Sequence, residues 1–234
     1  MIARKSLQNQ LAEIEQAICE QADRIESMIR SAYRGLCERC LGTADEVLAM
    51  EQQINRNEVT IEEHCLTLLA LQQPVASDLR RTAAALKINS DLERIADLAL
   101  NLAERTESLA GHIDIEIPDR LSQMVLFAIE MLHDARLAFL NSDMQLARKV
   151  CQSDSELDAM NREVIQHLVG KMESEPDRVS AYLHIFSASR IVERIGDHAT
   201  NIAEDVEYVV DGEIRRHQGG RIGEQSAGSM RSNS

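Results

Sequence analysis

The chain has 234 residues, of which 44% are hydrophobic, enough for one large domain or two small domains with their own cores. Its formal net charge of −14, without a run of Lys or Arg, argues against nucleic acid as a partner. No apolar stretch approaches the roughly 18 residues that cross a bilayer. Because residues 1–10 are also polar rather than typical of a signal peptide, we expect a cytoplasmic protein that does not span the membrane.

The composition favours helix throughout, because only three Pro and ten Gly occur and Trp is absent. Before residue 110, apolar residues recur at helical spacing in three blocks, separated by turn residues such as Gly42 and Pro74. The first three predicted helices cover about Leu7 to Cys40, Ala44 to Leu71 and Val75 to Leu109.

The helical pattern breaks between Gly111 and Pro118 and then resumes. The next three predicted helices cover about Asp119 to Leu140, Ser142 to Met172 and Asp177 to Val210. We therefore expect an all-α fold of two tandem homologous three-helix bundles, six helices in total. The predicted division is residues 1–112 for the first bundle, 113–211 for the second, and 212–234 for a disordered tail rich in Gly, Ser and Arg.

One sequence motif occurs twice in the chain, once on the third predicted helix of each half. The string LERIAD at residues 92–97 returns as VERIGD at residues 192–197, 100 positions later. Earlier positions match at an offset of 103, for example Ile54 with Leu157. This duplication predicts two homologous units that pack on one another.

The repeated pattern carries a row of oxygen donors, because a spacing of four residues stacks side chains on one helix face. The third-helix rows are Glu93, Asp97 and Asn101 in the first half and Glu193, Asp197 and Asn201 in the second. The second helices carry matching rows, which are Glu51, Asn55 and Glu58 in the first half and Asp154, Asp158 and Asn161 in the second. The second-half rows flank predicted core positions such as Ile195, Leu157 and Val164, so these two rows are placed to converge at a helix seam.

Converging carboxylates repel one another unless a cation or protons neutralise them. Oxygen-only ligation favours Mg²⁺, Ca²⁺, Mn²⁺ or iron over zinc or copper. The rows therefore predict divalent or trivalent metal ions, with the weaker site in the first half because Asn55 offers one neutral oxygen. The alternative is a solvated face of ion pairs with nearby arginines, which are Arg94, Arg105, Arg190 and Arg194.

Two other patterns favour structural roles. Cys37 and Cys40 form a C-x-x-C motif within a helical pattern and without a second such motif, so we expect small buried side chains rather than a zinc or redox site. His198 flanks Asp197, but helical geometry turns it by about 100°. We therefore expect His198 at the surface or in a helix seam rather than on a metal.

The paired motifs and the three-plus-three duplication resemble the PhoU family, the accessory proteins of the phosphate-specific transport system, over about residues 6–210. The resemblance implies a cytoplasmic regulator rather than an enzyme. Such a protein would restrain the phosphate ABC transporter and help the phosphate-sensing histidine kinase to keep the phosphate-starvation response off. Its partners would be the transporter ATPase subunit and that kinase, and it would form a homodimer.

The resemblance also implies metal binding through E(D)-x-x-x-D motifs, in some members as multinuclear iron clusters. Carried over to this sequence, the ligands would be Glu51, Glu93, Asp97, Asp154, Asp158, Glu193 and Asp197. The supporting oxygens would come from Asn55, Asn101 and Asn201. Asn55 departs from the acidic pattern of the family.

Two other functions are compatible with an acidic helical bundle. A ferritin-like di-iron enzyme would need two E-x-x-H elements. The chain has one, Glu130 with His133, and the matching positions of the first half hold Ser27 and Arg30. The second alternative is a metal-free helical adaptor whose acids are solvated.

Overall fold

The computed structural model describes residues 2–109, 111–112 and 114–212. These residues form six α-helices and no strand. The helices are α1 (Ile2–Glu38), α2 (Thr43–Gln72), α3 (Ala76–Leu109), α4 (Asp119–Asn141), α5 (Met144–Ser174) and α6 (Val179–Asp211). The prediction of an all-α protein with two tandem three-helix bundles is confirmed.

Local signals place the helix ends close to the predicted positions. Asp143 caps α5, because its carboxylate accepts hydrogen bonds from two backbone N–H groups of the first turn at 2.9 and 3.1 Å. Gly212 ends α6 with a φ of 77°, which glycine adopts without strain. The start of α6 differs from the prediction, because Pro176 opens a short 3₁₀ turn and the α-helix begins at Val179 rather than at Asp177.

The six helices pack as three plus three around a shared core. α1, α2 and α3 contact one another in the first half, and α4, α5 and α6 do so in the second. The two halves meet mainly through α3 and α6, with α1 against α4. The buried apolar residues form one cluster, which includes Ile25, Leu92, Leu132, Ile195 and Ile202. Each three-helix unit therefore covers apolar surface that the other cannot bury alone.

Gly196 of α6 allows a close approach to α5. A Cβ atom at this position would overlap Cδ2 of Leu157, so a larger residue requires Leu157 to move. The equivalent positions of the first half are Ala96 and Ile54, and both are buried. The second and third helices of each half therefore contact one another through different pairs of side chains at equivalent positions.

The structure corrects one prediction about burial. Cys37 and Cys40 are exposed, although we expected them to be buried. They lie at the end of α1, next to Leu41, which is also exposed, so the bundle does not cover this part of the chain.

Two further sequence predictions concern the tail and the membrane. Residues 213–234 of the predicted tail lie outside the described residues. None of the described helices combines the length and the apolar character needed to cross a bilayer.

Candidate metal-binding carboxylate rows

The second-half rows on α5 and α6 border the point at which the two helices touch, between Leu157 and Gly196. Each row has one acid three residues before its contact residue and another acid one residue after it. These acids are Asp154 and Asp158 on α5, and Glu193 and Asp197 on α6. Since both positions lie beside the contact residue on a helix, the two rows line one seam.

The carboxylates of the second-half rows act on one another electrostatically. Partial burial and the charges of Glu193, Asp154 and Asp158 raise the pKa of Asp197 from 3.8 to about 6, although the residue keeps an exposed surface. Burial and Asp158 also raise the pKa of Asp154, which a 3.4 Å hydrogen bond from Thr200 lowers in part. The four carboxylates of the second-half rows therefore interact electrostatically across the seam.

Two oxygen atoms of the second-half rows are buried without a hydrogen-bond partner among the described residues. Glu193 is 9% exposed, and its Oε1 accepts a 2.8 Å hydrogen bond from Arg190 while Oε2 has no partner. Asn161 is 3% exposed, and its Oδ1 also has no partner. Such orphaned acceptors cost about 1–3 kcal/mol each. Carboxylate and amide oxygens are the ligands that hard cations prefer, so the residues present fit the predicted type of ligand.

The first-half rows on α2 and α3 show the same electrostatic coupling. Burial and the charge of Asp97 raise the pKa of Glu93, and Glu58 and Glu51 add to this effect. The nearby guanidinium of Arg94 lowers the pKa of Glu93 in part. These acids therefore belong to one group that spans the two helices.

The sequence prediction omitted Glu58 from the ligands of the first half. Glu51 is buried and accepts a hydrogen bond from the amide of Asn55, whose own Oδ1 is buried without a partner in the described structure. Glu58 occupies the position of Asn161, just as Asn55 occupies that of Asp158. The first-half row therefore carries its second negative charge at Glu58, whereas the second-half row carries it at Asp158, which aligns with Asn55. The aligned repeat alone shows this difference.

The asparagines that end the third-helix rows lie elsewhere. Asn101 is exposed on α3. Asn201 turns toward the other half, where its Nδ2 donates to Asp91 Oδ1 at 3.4 Å. His198 Nδ1 lies 2.8 Å from the same oxygen, so the predicted seam position of His198 is confirmed. Metal ligation by Asn101 or Asn201 stays a prediction.

Arginines pair with part of the rows, as the ion-pair alternative proposed. Arg94 lies 3.4 Å from oxygens of both Glu93 and Asp97. Arg190 lies 2.8 Å from Glu193. The side chain of Arg94 is largely exposed, so its two pairs add little stability. The pair of Arg190 with Glu193 joins a largely exposed guanidinium to a buried carboxylate.

The remaining acids leave the second half with uncompensated charge. In the described structure, Asp154 and Asp197 make no ion pair with Lys or Arg. Within the same residues, no group of three or more His, Cys, Asp or Glu side chains already converges into a metal-binding cluster. A bound cation would therefore have to draw the carboxylates together by side-chain rotation.

The single E-x-x-H element does not form one site. Glu130 points toward Lys149 on α5, at 3.8 Å. His133 instead lies 3.3 Å from Glu26 on α1 and 3.2 Å from Arg136. Because its two members turn toward different helices, the described structure gives the di-iron alternative no geometric support.

Comparisons with known proteins match the duplicated sequence and the six-helix fold. The family model described as "PhoU domain" matches residues 18–106 and 121–206. Two relatives are named phosphate-specific transport system accessory protein PhoU homolog. The relative from Pseudomonas putida is 36% identical, and the match covers 90% of this chain and 82% of that protein. The relative from Deinococcus radiodurans is 31% identical, and the match covers 89% of this chain and 98% of that protein. The crystal structure of PhoU from Pseudomonas aeruginosa superposes with a TM-score of 0.83 at 34% identity, covering 88% of this chain and 99% of that one. PhoU from Streptococcus pneumoniae, described as a phosphate transport system regulatory protein, gives 0.83 at 25% identity, with coverage of 89% and 98%.

Proposed function

The chain belongs to the PhoU family, and from this premise we propose that it is a cytoplasmic negative regulator of the phosphate-starvation response and a modulator of the phosphate ABC transporter. Its relatives are named as accessory or regulatory proteins of phosphate transport, which supports a regulatory role rather than catalysis. The proposed partners are the transporter ATPase subunit and the phosphate-sensing histidine kinase. The proposed assembly is a homodimer.

The observation that carries this proposal is the accessible second-half seam, where carboxylates on two helices raise the pKa of Asp197. A protein with a net charge of −14 would repel acidic or phosphorylated partners at such a seam. A bound Mg²⁺, Ca²⁺, Mn²⁺ or iron ion would reverse the local charge and so attract phosphate or an acidic partner surface. The residues proposed to hold it are Asp154, Asp158, Glu193 and Asp197, and the equivalent first-half set is Glu51, Glu93 and Asp97 with Asn55.

The partner proposal is tested by co-purification from phosphate-replete and phosphate-starved cells. We expect the ATPase subunit and the sensor kinase to co-purify with the wild-type chain. The double variant Glu193→Gln with Asp197→Asn should lose most of both, because it removes two charges from the seam without changing side-chain size. Asp45→Asn with Glu107→Gln, which neutralises two exposed acids elsewhere, is the matched control. If neither partner co-purifies with the wild type in either condition, the regulatory proposal is wrong.

Metal analysis after extensive dialysis separates this function from that of a metal-free adaptor. The wild type and the Asp45→Asn, Glu107→Gln control should retain metal, and the seam variant should retain markedly less. Absence of metal from all three proteins, combined with unchanged partner binding, would favour the metal-free adaptor.

A further inference from the structure

The carboxylates of the second-half seam continue beyond the two rows, toward the end of α6. Thr200 of α6 donates a 3.4 Å hydrogen bond to Asp154 of α5. Further along the two helices, burial raises the pKa of Cys151 on α5 to about 12, and the charges of Glu207, Glu204 and Asp154 add to this effect. The α5–α6 seam is therefore lined by carboxylates up to the last turns of α6.

Negative charges outnumber positive charges along this seam. The acids that line it are Asp154, Asp158, Glu193, Asp197, Glu204, Glu207 and Asp211. The arginines of the described structure that lie within 4.0 Å of these acids are Arg148 with Glu207 and Asp211, Arg162 with Asp158, and Arg190 with Glu193. Arg148 thus balances the acids nearest the end of α6, whereas the middle of the seam, around Asp154 and Asp197, keeps its negative charge.

The seam also holds a buried acceptor that lacks a donor. Glu193 is 9% exposed, and its Oε2 has no hydrogen-bond partner among the described residues. An arginine side chain carries five N–H donors and a permanent positive charge. It could therefore balance the acids of the seam and, after rotation of the Glu193 carboxylate, also donate to Oε2.

The chain leaves the described structure at the end of this seam, and the charges around the exit have a direction. A Cβ atom on Gly212 would lie 3.5 Å from Cζ of Arg80 on α3. Lys87 of α3 lies close by, 3.1 Å from Asp205 of α6. The α3 side of the exit therefore carries cations and the α5 side leads to the acidic seam. A basic segment that follows Gly212 would be repelled by the first and attracted by the second.

The residues that follow Gly212 are basic. Residues 213–234 contain four Arg and two Glu, a formal charge of +2, which leaves −16 for residues 1–212. The positive charge is concentrated near the exit, because residues 214–223 contain Arg215, Arg216 and Arg221 and no acid. The sequence thus places its basic segment next to an acidic surface of the same chain.

The length of this segment matches the distances along the seam. At a helical rise of about 1.5 Å per residue, Glu204 lies roughly 12 Å and Asp197 roughly 22 Å back along α6 from Gly212. An extended chain of about 3.3 Å per residue takes Arg216 up to roughly 13 Å and Arg221 up to roughly 30 Å from Gly212. Attachment at Gly212 also gives the segment an effective concentration on the order of mM at the seam.

We propose that residues 214–223 bind along the α5–α6 seam of the same molecule, with Arg216 at Glu204 and Arg221 at Asp154 and Asp197. The segment would act as a built-in counterion for carboxylates that no other side chain balances. A basic partner surface would have to displace it to reach the seam. The proposal does not rest on metal binding.

A carbodiimide cross-link tests the position of the segment. Arg221→Lys keeps the charge and introduces an amine into residues 213–234, which contain no Lys. Carbodiimide joins this amine to a carboxylate only where the two groups touch, and mass spectrometry of the monomeric product identifies the pair. In the full, chelator-treated chain we expect cross-links to Asp154, Asp197 or Glu204. Arg231→Lys, which places the amine outside the proposed segment, is the matched control and should give markedly fewer.

Trypsin cleavage of the chain with its natural tail supplies a second measurement. Binding should protect the bond after Arg221, and cleavage after Arg231 of the same chain serves as the internal reference. Asp154→Asn with Glu204→Gln should raise the ratio of the two cleavage rates at least about threefold, because it removes two charges from the seam. Asp45→Asn with Glu107→Gln should leave the ratio unchanged. Circular dichroism checks that each variant is folded.

Three results would overturn the proposal. The first is cross-linking to acids outside the seam, or equal cross-linking of both Lys variants to the seam, which would indicate unspecific attraction. The second is a cleavage ratio that the seam substitutions do not change. The third is protection that increases with protein concentration, which would identify the binding site as that of a second copy. Because metal and transport partners are absent from both experiments, failure of the proposed regulatory function would leave these results unaffected.

Discussion

Asp197 shows how one side chain links stability to the proposed site. Its pKa rises from 3.8 to about 6 because burial and three neighbouring carboxylates oppose its negative charge. Between these two pH values the folded chain binds more protons than the unfolded chain, so this residue's contribution to stability falls as pH rises through that range. The charge that would attract a cation therefore destabilises the metal-free fold at neutral pH.

Replacing Asp197 by Asn should stabilise the metal-free protein at pH 7 by about 0.5–1 kcal/mol, a range that allows for solvent screening at this exposed position. Near pH 4 the substitution should have little effect, because Asp197 is then largely protonated in the folded state. Urea unfolding at both pH values, followed by circular dichroism with a chelator present, measures the difference. Asp45→Asn is the control, and equal effects at the two pH values would contradict the electrostatic explanation.

At the scale of helices, the seam between α5 and α6 depends on the pair Gly196 and Leu157. Gly196→Ala should reduce the free energy of unfolding by about 1–3 kcal/mol, because the new Cβ overlaps Leu157. Adding Leu157→Ile recreates the Ala96 and Ile54 pair of the first half. The double variant should therefore recover at least about 0.5 kcal/mol relative to the sum of the single changes.

Gly170→Ala is the matched control for this cycle. Gly170 is exposed within α5, and a Cβ there would meet nothing within 4 Å. The substitution should therefore raise stability by up to about 1 kcal/mol through helix propensity alone. Additive effects of Gly196→Ala and Leu157→Ile would show that the two residues do not limit the approach of the helices.

At the scale of the whole molecule, the two halves depend on each other through α3 and α6. Lys87 of α3 lies 3.1 Å from Asp205 of α6, which is 1% exposed. Lys87→Met should cost about 2 kcal/mol, because it takes a cation away from a buried carboxylate. Adding Asp205→Asn should restore part of this loss.

Lys149→Met, which removes an exposed ammonium group from the half-buried Asp134, is the control and should cost less than about 1 kcal/mol. Urea unfolding of all variants should remain a single transition, because the halves share one core. Two separate transitions would show instead that the halves unfold independently.

The sequence by itself determined the six helices, the duplication and the four oxygen rows. These features follow from spacing of three or four residues and from turn residues, which act locally. The same spacing indicated that the acids flank core positions. The repeat alone also shows that Asn55 and Glu58 of the first half stand where the second half has Asp158 and Asn161.

Only the tertiary structure decided which faces another element covers. In it, Cys37 and Cys40 are exposed, and Asn201 turns toward Asp91 across the interface between the halves. Helical periodicity identifies an apolar or polar face, but burial and pKa depend on residues that are distant in the chain. For this reason, residues that match in the repeat occupy different environments in the two halves.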